Sequence, residues 1–305
     1  MPASSLQGTT ITPARGAPIG AAALDALHLR LDALERKSGT RALAVAVYDT
    51  ETHTSFRRHA DRWFHAASTI KVAILLGVYA SIHHGWLLPH SRLHVRNRFL
   101  SAVDGHPFRV AADRDANSEV HAAIGKMMRV SELSLHMIAT SSNLATNLLL
   151  DLVGLDTVQR ALDELGVDGI DLRRGVEDER AFERGINNRV TADGLVQLLR
   201  LVAEERAFSS ELSREMLTIL HAQEFKNGIP ARLPPSVRVA NKTGEISTIA
   251  HDAGVVYPPN RNPYVIAILT EWAPEATGRK PTIAEASQAV YELLTSPREP
   301  EHAHG

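Results

Sequence analysis

The stretch Phe64-His65-Ala66-Ala67-Ser68-Thr69-Ile70-Lys71, running into Val72-Ala73-Ile74-Leu75-Leu76, constrains this chain more than any other. Small and polar residues precede an apolar run at helical spacing. That predicts a helix whose first turn carries Ser68 and, three positions on, Lys71. Residues three apart share a helix face, so hydroxyl and amine can touch. A serine hydroxyl is a poor nucleophile until a base removes its proton, and a partly desolvated lysine can be that base. The helix N-terminus adds backbone N–H groups and a positive dipole end, which favour a developing oxyanion. Alone, the Ser-x-x-Lys spacing fits an ordinary amphipathic helix start equally well.

Composition narrows the alternatives. The 305 residues allow one large domain or two smaller ones. A hydrophobic fraction of 44% with 22% charged residues describes a soluble globular chain with a real core. A net charge of -2 argues against nucleic acid or an anionic membrane surface as partner. With no cysteine, disulfides, thiol catalysis and thiolate metal sites are excluded. No run approaches the roughly 18 apolar residues of a membrane span. Met1 to Ala21 is rich in Pro, Gly, Ser, Thr and Ala and lacks a basic-then-apolar leader pattern. Either the protein stays inside the cell or a leader has been removed.

Along the chain, residues 1–20 read as disordered. Ala21 to Lys37 is an amphipathic helix with Leu24, Leu27, Leu31 and Leu34 at helical spacing, ended by Gly39. Ala42 to Tyr48 is an apolar strand, partnered by Thr52 to Arg57. The serine-lysine helix runs to His84. His90 to Gly125 is polar and irregular. Helices follow at Val130–Thr140, Leu144–Val153 and Leu155–Leu165. Asp168 to Asn188 is charged and aperiodic, a long loop of the functional kind. Thr191–Glu204 and Ser209–His221 are helices, and Pro230–Ser236 is a loop. Val237–Asn241, Ala250–Tyr257 and Tyr264–Thr270 read as antiparallel strands, and Thr282–Leu294 as a closing helix. The expected fold is α/β (α+β): an antiparallel sheet flanked by the terminal helices, plus an all-helical subdomain. The α/β part takes 21–67 and 222–297, the helical part 68–221, and 298–305 is a tail. Ser68 falls where the helical part leaves the sheet, a natural place for a cleft.

Three further segments carry chemistry. Thr140-Ser141-Ser142-Asn143 offers a hydroxyl and a carboxamide, although Ser142 or Asn143 also suits a helix N-cap. Asn241-Lys242-Thr243-Gly244 can hold an anionic group while Gly244 admits a close backbone approach, although a polar edge strand explains it too. Glu183-Arg184-Gly185-Ile186-Asn187 can pin a water between Glu183 and Asn187, or be a solvated loop. His83, His84, His90 and His94 lie close in sequence without metal-ligand spacing, so neither a metal nor another cofactor is expected.

Ser-x-x-Lys, then Ser-x-Asn, then Lys-Thr-Gly, in that order, is the motif set of class A β-lactamases and penicillin-binding proteins. The chain resembles the class A β-lactamase family from about Ala21 to Leu294. Ser141 to Leu150 looks like the family's Ser-Asp-Asn helix, and His251 to Val256 like the strand after Lys-Thr-Gly. The resemblance implies that Ser68 is the acylated nucleophile and Lys71 its proton acceptor. Ser141 would relay a proton to the leaving nitrogen, and Asn143 would bind the substrate's amide. Lys242 and Thr243 would hold its carboxylate. The N–H groups of Ser68 and Glu245 would form the oxyanion hole. Glu183 and Asn187 fit the family's Glu-x-x-Leu-Asn motif and would activate the hydrolytic water, with Glu177 and Glu179 as rivals. The implied partner is a small β-lactam or peptide-like substrate, met by a monomer. A periplasmic or secreted location follows from the resemblance alone.

Three departures qualify the match. Ser142 stands where the family has an aspartate that orders the turn. Ser141 and Glu183 are 42 positions apart, a longer separation than the family's. Glu245 follows Gly244, and its carboxylate, if turned inward, would repel an anionic β-lactam; His251 or Arg238 is the available helper for Lys242. The alternative function is a related serine peptidase or esterase with little β-lactam turnover.

Overall fold

The structure, a computed structural model, describes residues 19–88 and 90–296. The readings for 1–18 and for the 298–305 tail lie outside the described residues.

Strand β1 (Ala42–Asp49) is buried along its whole length, and this sets the layers. Alternate residues of a strand face opposite sides. Ala42, Ala44, Ala46 and Tyr48 enter one core, while Leu43, Val45 and Val47 enter a second. The sheet is therefore covered on both faces. It has five strands, with β2 (Ser55–Arg58), β3 (Arg238–Ile246), β4 (Ile249–Tyr257) and β5 (Tyr264–Glu271) in the order β3-β4-β5-β1-β2. All neighbours are antiparallel; β1 meets β5 from Ala42↔Glu271 to Asp49↔Tyr264, so the late strands join the early ones as expected.

The terminal helices α1 (Ala21–Ser38) and α8 (Arg279–Thr295) cover one face, Leu27, Leu31 and Leu34 packing with Ile283, Ala286 and Val290 in the second core. On the other face lies α2 (Lys71–His83), buried from Lys71 to Ser81. A helix apolar all round belongs inside. Around it stand α3 (Val130–Ala139), α4 (Asn143–Val153), α5 (Leu155–Glu164) and α7 (Ser210–His221). Helix α6 (Ala192–Ala203) packs directly on β1 and β5. Thr191 and Ser209 cap α6 and α7, accepting hydrogen bonds from Gly194 and Leu212 N–H groups.

The structure adds detail where periodicity was weak. The 90–125 stretch forms short strands, of which Arg92–His94 pairs with Met127–Arg129. The 168–188 loop contains a short helix, Glu179–Glu183, and ends in a two-residue strand that pairs with Phe64–His65. Strand β3 does not stop at Asn241 but runs through Lys-Thr-Gly to Ile246. The register explains this: Ile246 pairs with Ile249 across a tight turn, so the ladder stays closed through the polar residues. No helix among the described residues is long and apolar enough to cross a membrane.

Candidate active site

Ser68 lies in a separate 3-10 turn, Ala67–Ile70, that leads into α2, while Lys71 opens the α-helix itself. Ala67 has φ +46°, a left-handed conformation costly for a residue with a Cβ. The turn is pinned by the Thr69 hydroxyl, which donates to the Ala66 carbonyl at 2.6 Å. It is also pinned by the Ala67 N–H, which donates to His65 Nδ1 at 3.1 Å. The sheet presses against it through Gly244. A Cβ there would lie 3.0 Å from the backbone nitrogens of both Ser68 and Thr69. Edge strand β3 is thus covered by the Ser68 turn, and only glycine permits that approach.

Lys71 is wholly buried. Its Nζ donates to the Ser141 carbonyl at 2.7 Å, to Asn143 Oδ1 at 2.8 Å and to Ser141 Oγ at 3.1 Å. Lys242, also wholly buried, reaches the same Ser141 Oγ at 3.1 Å from the opposite side and donates to the Thr243 carbonyl at 2.8 Å. Burial pulls both amines down. Lys71 falls well below the ordinary lysine range, with Lys242 adding to the fall and Asp115 and Glu177 opposing it. Lys242 falls to about 7, with Asp252 opposing. Asp252 is itself pushed up to about 6 by burial, while its carboxylate accepts from Asn241 Nδ2 and Ile229 N–H, each at 2.8 Å. A neutral lysine has a lone pair to offer, which is what a proton acceptor for a serine needs.

Asn143 extends the network. Its Nδ2 donates to Glu177 Oε1 at 2.6 Å, and the Ala111 N–H donates to Glu177 Oε2 at 3.3 Å. Behind Glu177, the buried Asn147 grips the loop: its Oδ1 accepts from Val176 N–H and its Nδ2 donates to the Val176 carbonyl, both at 2.9 Å. Ser141 and Glu177 both carry φ +60°. Backbone strain of this kind collects at functional sites, and here it re-aims both side chains inward.

Ser68, Asn143, Glu177, Glu183 and Glu245 all line a cavity of about 640 Å³, walled by His65, Arg174 and Phe182. It adjoins a second cavity of about 260 Å³ that Ser68, Ser141, Thr243, Gly244 and His251 line. Glu183 sits at the exposed end of the helix Glu179–Glu183, and among the described residues no hydrogen bond joins it to Asn143. Glu179 is exposed and paired with Arg114 at 2.5 Å. Asn187 turns to Arg174, accepting from Nη2 at 3.1 Å. One local signal could have separated these acids: Asp178 caps the short helix, accepting from Ala181 N–H at 3.2 Å, and an Asp cap leaves Glu177 in the extended segment before it. Glu245 pairs with Lys280 at 2.8 Å, so its charge is balanced beside the cleft. His251 donates from Nε2 to the His65 carbonyl at 3.1 Å and accepts from Thr270 N–H at 3.0 Å, tying β4 to the segment before Ser68. His83 and His84 stack on Phe208 and Trp86, away from this cleft.

Lys71 thus bonds to Ser141 and Asn143 and, among the described residues, not to Ser68; the fold and the cleft are those of a serine hydrolase. The model of the β-lactamase enzyme family matches residues 26–294. A β-lactamase of Streptomyces fradiae is 29% identical over 93% of this chain and 90% of its own. The ROB-1 β-lactamase of Haemophilus influenzae is 30% identical over 83% and 79%. The solved class A β-lactamase of Mycobacterium abscessus superposes with a TM-score of 0.76 at 25% identity, covering 90% of this chain and all of that one. The chain belongs to the β-lactamase enzyme family, as a hydrolase of the class A type.

Proposed function

We propose that this β-lactamase opens the β-lactam amide through an acyl-enzyme on Ser68 and then hydrolyses that ester with a water activated by Glu177. Lys71, which burial makes readier to shed its proton, takes the Ser68 proton in its neutral form as Oγ attacks the ring carbonyl. The N–H groups of Ser68 and Glu245 face the developing oxyanion. Ser141, whose single hydroxyl lies between two amines, passes its own proton to the departing nitrogen and takes back from Lys71 the proton that came from Ser68. Thr243 and Lys242 hold the substrate carboxylate, and Asn143 its amide. In the second half, Glu177 removes a proton from the attacking water and returns it to Ser68 Oγ as the ester bond to Ser68 breaks. No second copy is needed to complete this set of groups.

The observation that carries this reading is the unbroken line of hydrogen bonds from Lys242 through Ser141, Lys71 and Asn143 to Glu177, beside the cavity that Ser68 lines. That line favours Glu177 over Glu183 as the base. Mass spectrometry after brief exposure to benzylpenicillin tests it. Glu177→Gln is expected to accumulate acylated Ser68, while Glu183→Gln turns over like the unaltered enzyme. A persistent adduct in Glu183→Gln with free turnover in Glu177→Gln would reverse the assignment. No adduct on Ser68 in any variant would end the reading.

A further inference from the structure

We infer that Asp115 is a positioning residue of this active site, supplying from a distant segment the carboxylate that position 142 lacks. The inference rests on the acylation of Ser68 proposed above. The turn 140–143 must hold Ser141 between two lysines while Ser141 stays in the left-handed region. In this chain Ser142 has no charge with which to brace it. The brace comes from outside. Asp115, whose side chain is fully buried, accepts at Oδ1 from Asn143 N–H at 3.1 Å and Asn117 N–H at 3.2 Å. At Oδ2 it accepts from Leu144 N–H at 2.9 Å and from the Ser142 hydroxyl at 3.2 Å. His121 Nε2 completes the shell at 3.2 Å.

Each contact has a consequence. Asn143 and Leu144 are the first residues of α4, whose N–H groups lack helical partners. An anion there meets both those donors and the helix dipole. The Ser142 hydroxyl, while donating to Asp115, accepts from Ala145 N–H at 3.1 Å and caps the same helix. The segment is clamped again at Asn117, whose Nδ2 donates to Thr140 Oγ1 at 2.8 Å and approaches His136 Nδ1 at 3.0 Å. Ser141 is thereby fixed on both sides, and Asn143 is held at its backbone by Asp115 and at its side chain by Lys71 and Glu177. Asp115 also bears on the base directly. The charged groups that act on Lys71 are Lys242 from β3, Glu177 from the 168–188 loop and Asp115, the last two favouring its protonated form.

The test uses the full-length enzyme and single-turnover acylation by benzylpenicillin. In Asp115→Ala and the near-isosteric Asp115→Asn, the acylation rate is expected to fall on the order of a hundredfold, the cost of misplacing reacting groups by about 1 Å. Removal of the anion also moves the acidic limb of the acylation pH profile to lower pH, because Lys71 loses a group that favours its protonation. A brace without electrostatic reach would leave that limb in place. Adding Ser142→Asp to Asp115→Ala returns the carboxylate to the turn and recovers at least tenfold of the rate. If Asp115→Ala does not fold, Asp115→Asn and the double variant decide. Folded Asp115→Asn acylating at the unaltered rate, or an acidic limb that does not move, overturns the inference. Failure of the unaltered enzyme to acylate would instead remove the reading on which it rests.

Discussion

Gly244→Ala is the sharpest single perturbation of the site. The added methyl would meet Ser68 N and Thr69 N at 3.0 Å and Thr69 Cγ2 at 3.1 Å. The two nitrogens are backbone of the Ser68 turn, and the Thr69 hydroxyl bond to Ala66 leaves both that turn and the Thr69 side chain little freedom. Ordinary contact begins near 3.4 Å, so strand and turn must part by a few tenths of an ångström. If about 1 Å of misplacement costs about a hundredfold, a shift of roughly half that costs about tenfold in acylation. Overpacking of this kind also costs about 1–3 kcal/mol of stability. At about 2–4 °C per kcal/mol for a domain of this size, thermal unfolding should reveal it. The assay is quenched-flow acylation by benzylpenicillin, followed by mass, beside a melting curve. An acylation rate and a melting temperature both indistinguishable from those of the unaltered enzyme would refute the argument that β3 bears on the Ser68 turn.

Two further outcomes follow from charges near the cleft. His251 is buried and held down to about 4 by desolvation, below the unfolded value near 6.5. The unfolded chain therefore binds the proton first, so stability is full above pH 6.5 and falls as pH drops through 6.5 to 4, by about 3 kcal/mol. Melting temperatures across that window should fall less steeply in His251→Asn, with His65, also held down to about 4 by burial, keeping part of the slope; an unchanged slope would show that His251 takes up its proton equally well in the fold. Lys280→Ala removes the partner of Glu245 at 2.8 Å. The pair is half-exposed, so stability changes little, but the freed carboxylate opposes an anionic substrate by about 1 kcal/mol at low salt. KM for benzylpenicillin should rise about fivefold with kcat unchanged, and added salt should erase the rise; a salt-independent increase would point to lost packing instead.

The readable parts of this sequence are those where periodicity and burial coincide. β1, the terminal helices and α2 each bury a face or a whole surface, and their residues repeat with the period of that burial. The strand through Lys242 reads poorly because its polar residues are buried by tertiary contact: the nucleophile turn covers an edge that its composition would leave to solvent. Asp115 is illegible for a different reason. It sits in an aperiodic stretch, and its partners in the turn it braces lie 27 to 29 positions away. The Glu-x-x-x-Asn spacing points to Glu183, while the loop that Asn147 grips at Val176 brings Glu177 to Asn143, a contact no spacing encodes.

Motif order also leaves out the balance of charge. Two fully buried lysines share one serine hydroxyl, and two ammonium groups so placed would each pay a large desolvation cost and repel the other. The site meets this with a different acid for each amine. Asp252 lies beside Lys242, while Glu177 and Asp115 act on Lys71. Burial still prevails at both, pulling Lys71 and Lys242 down and raising Asp252. Ser141 Oγ accepts from Lys71 as well as from Lys242, which leaves its own proton free to be given away. Two donors on one hydroxyl are what the proposed relay to a leaving nitrogen needs. Which carboxylate stands behind which lysine sets that balance, and three-residue motifs cannot encode it.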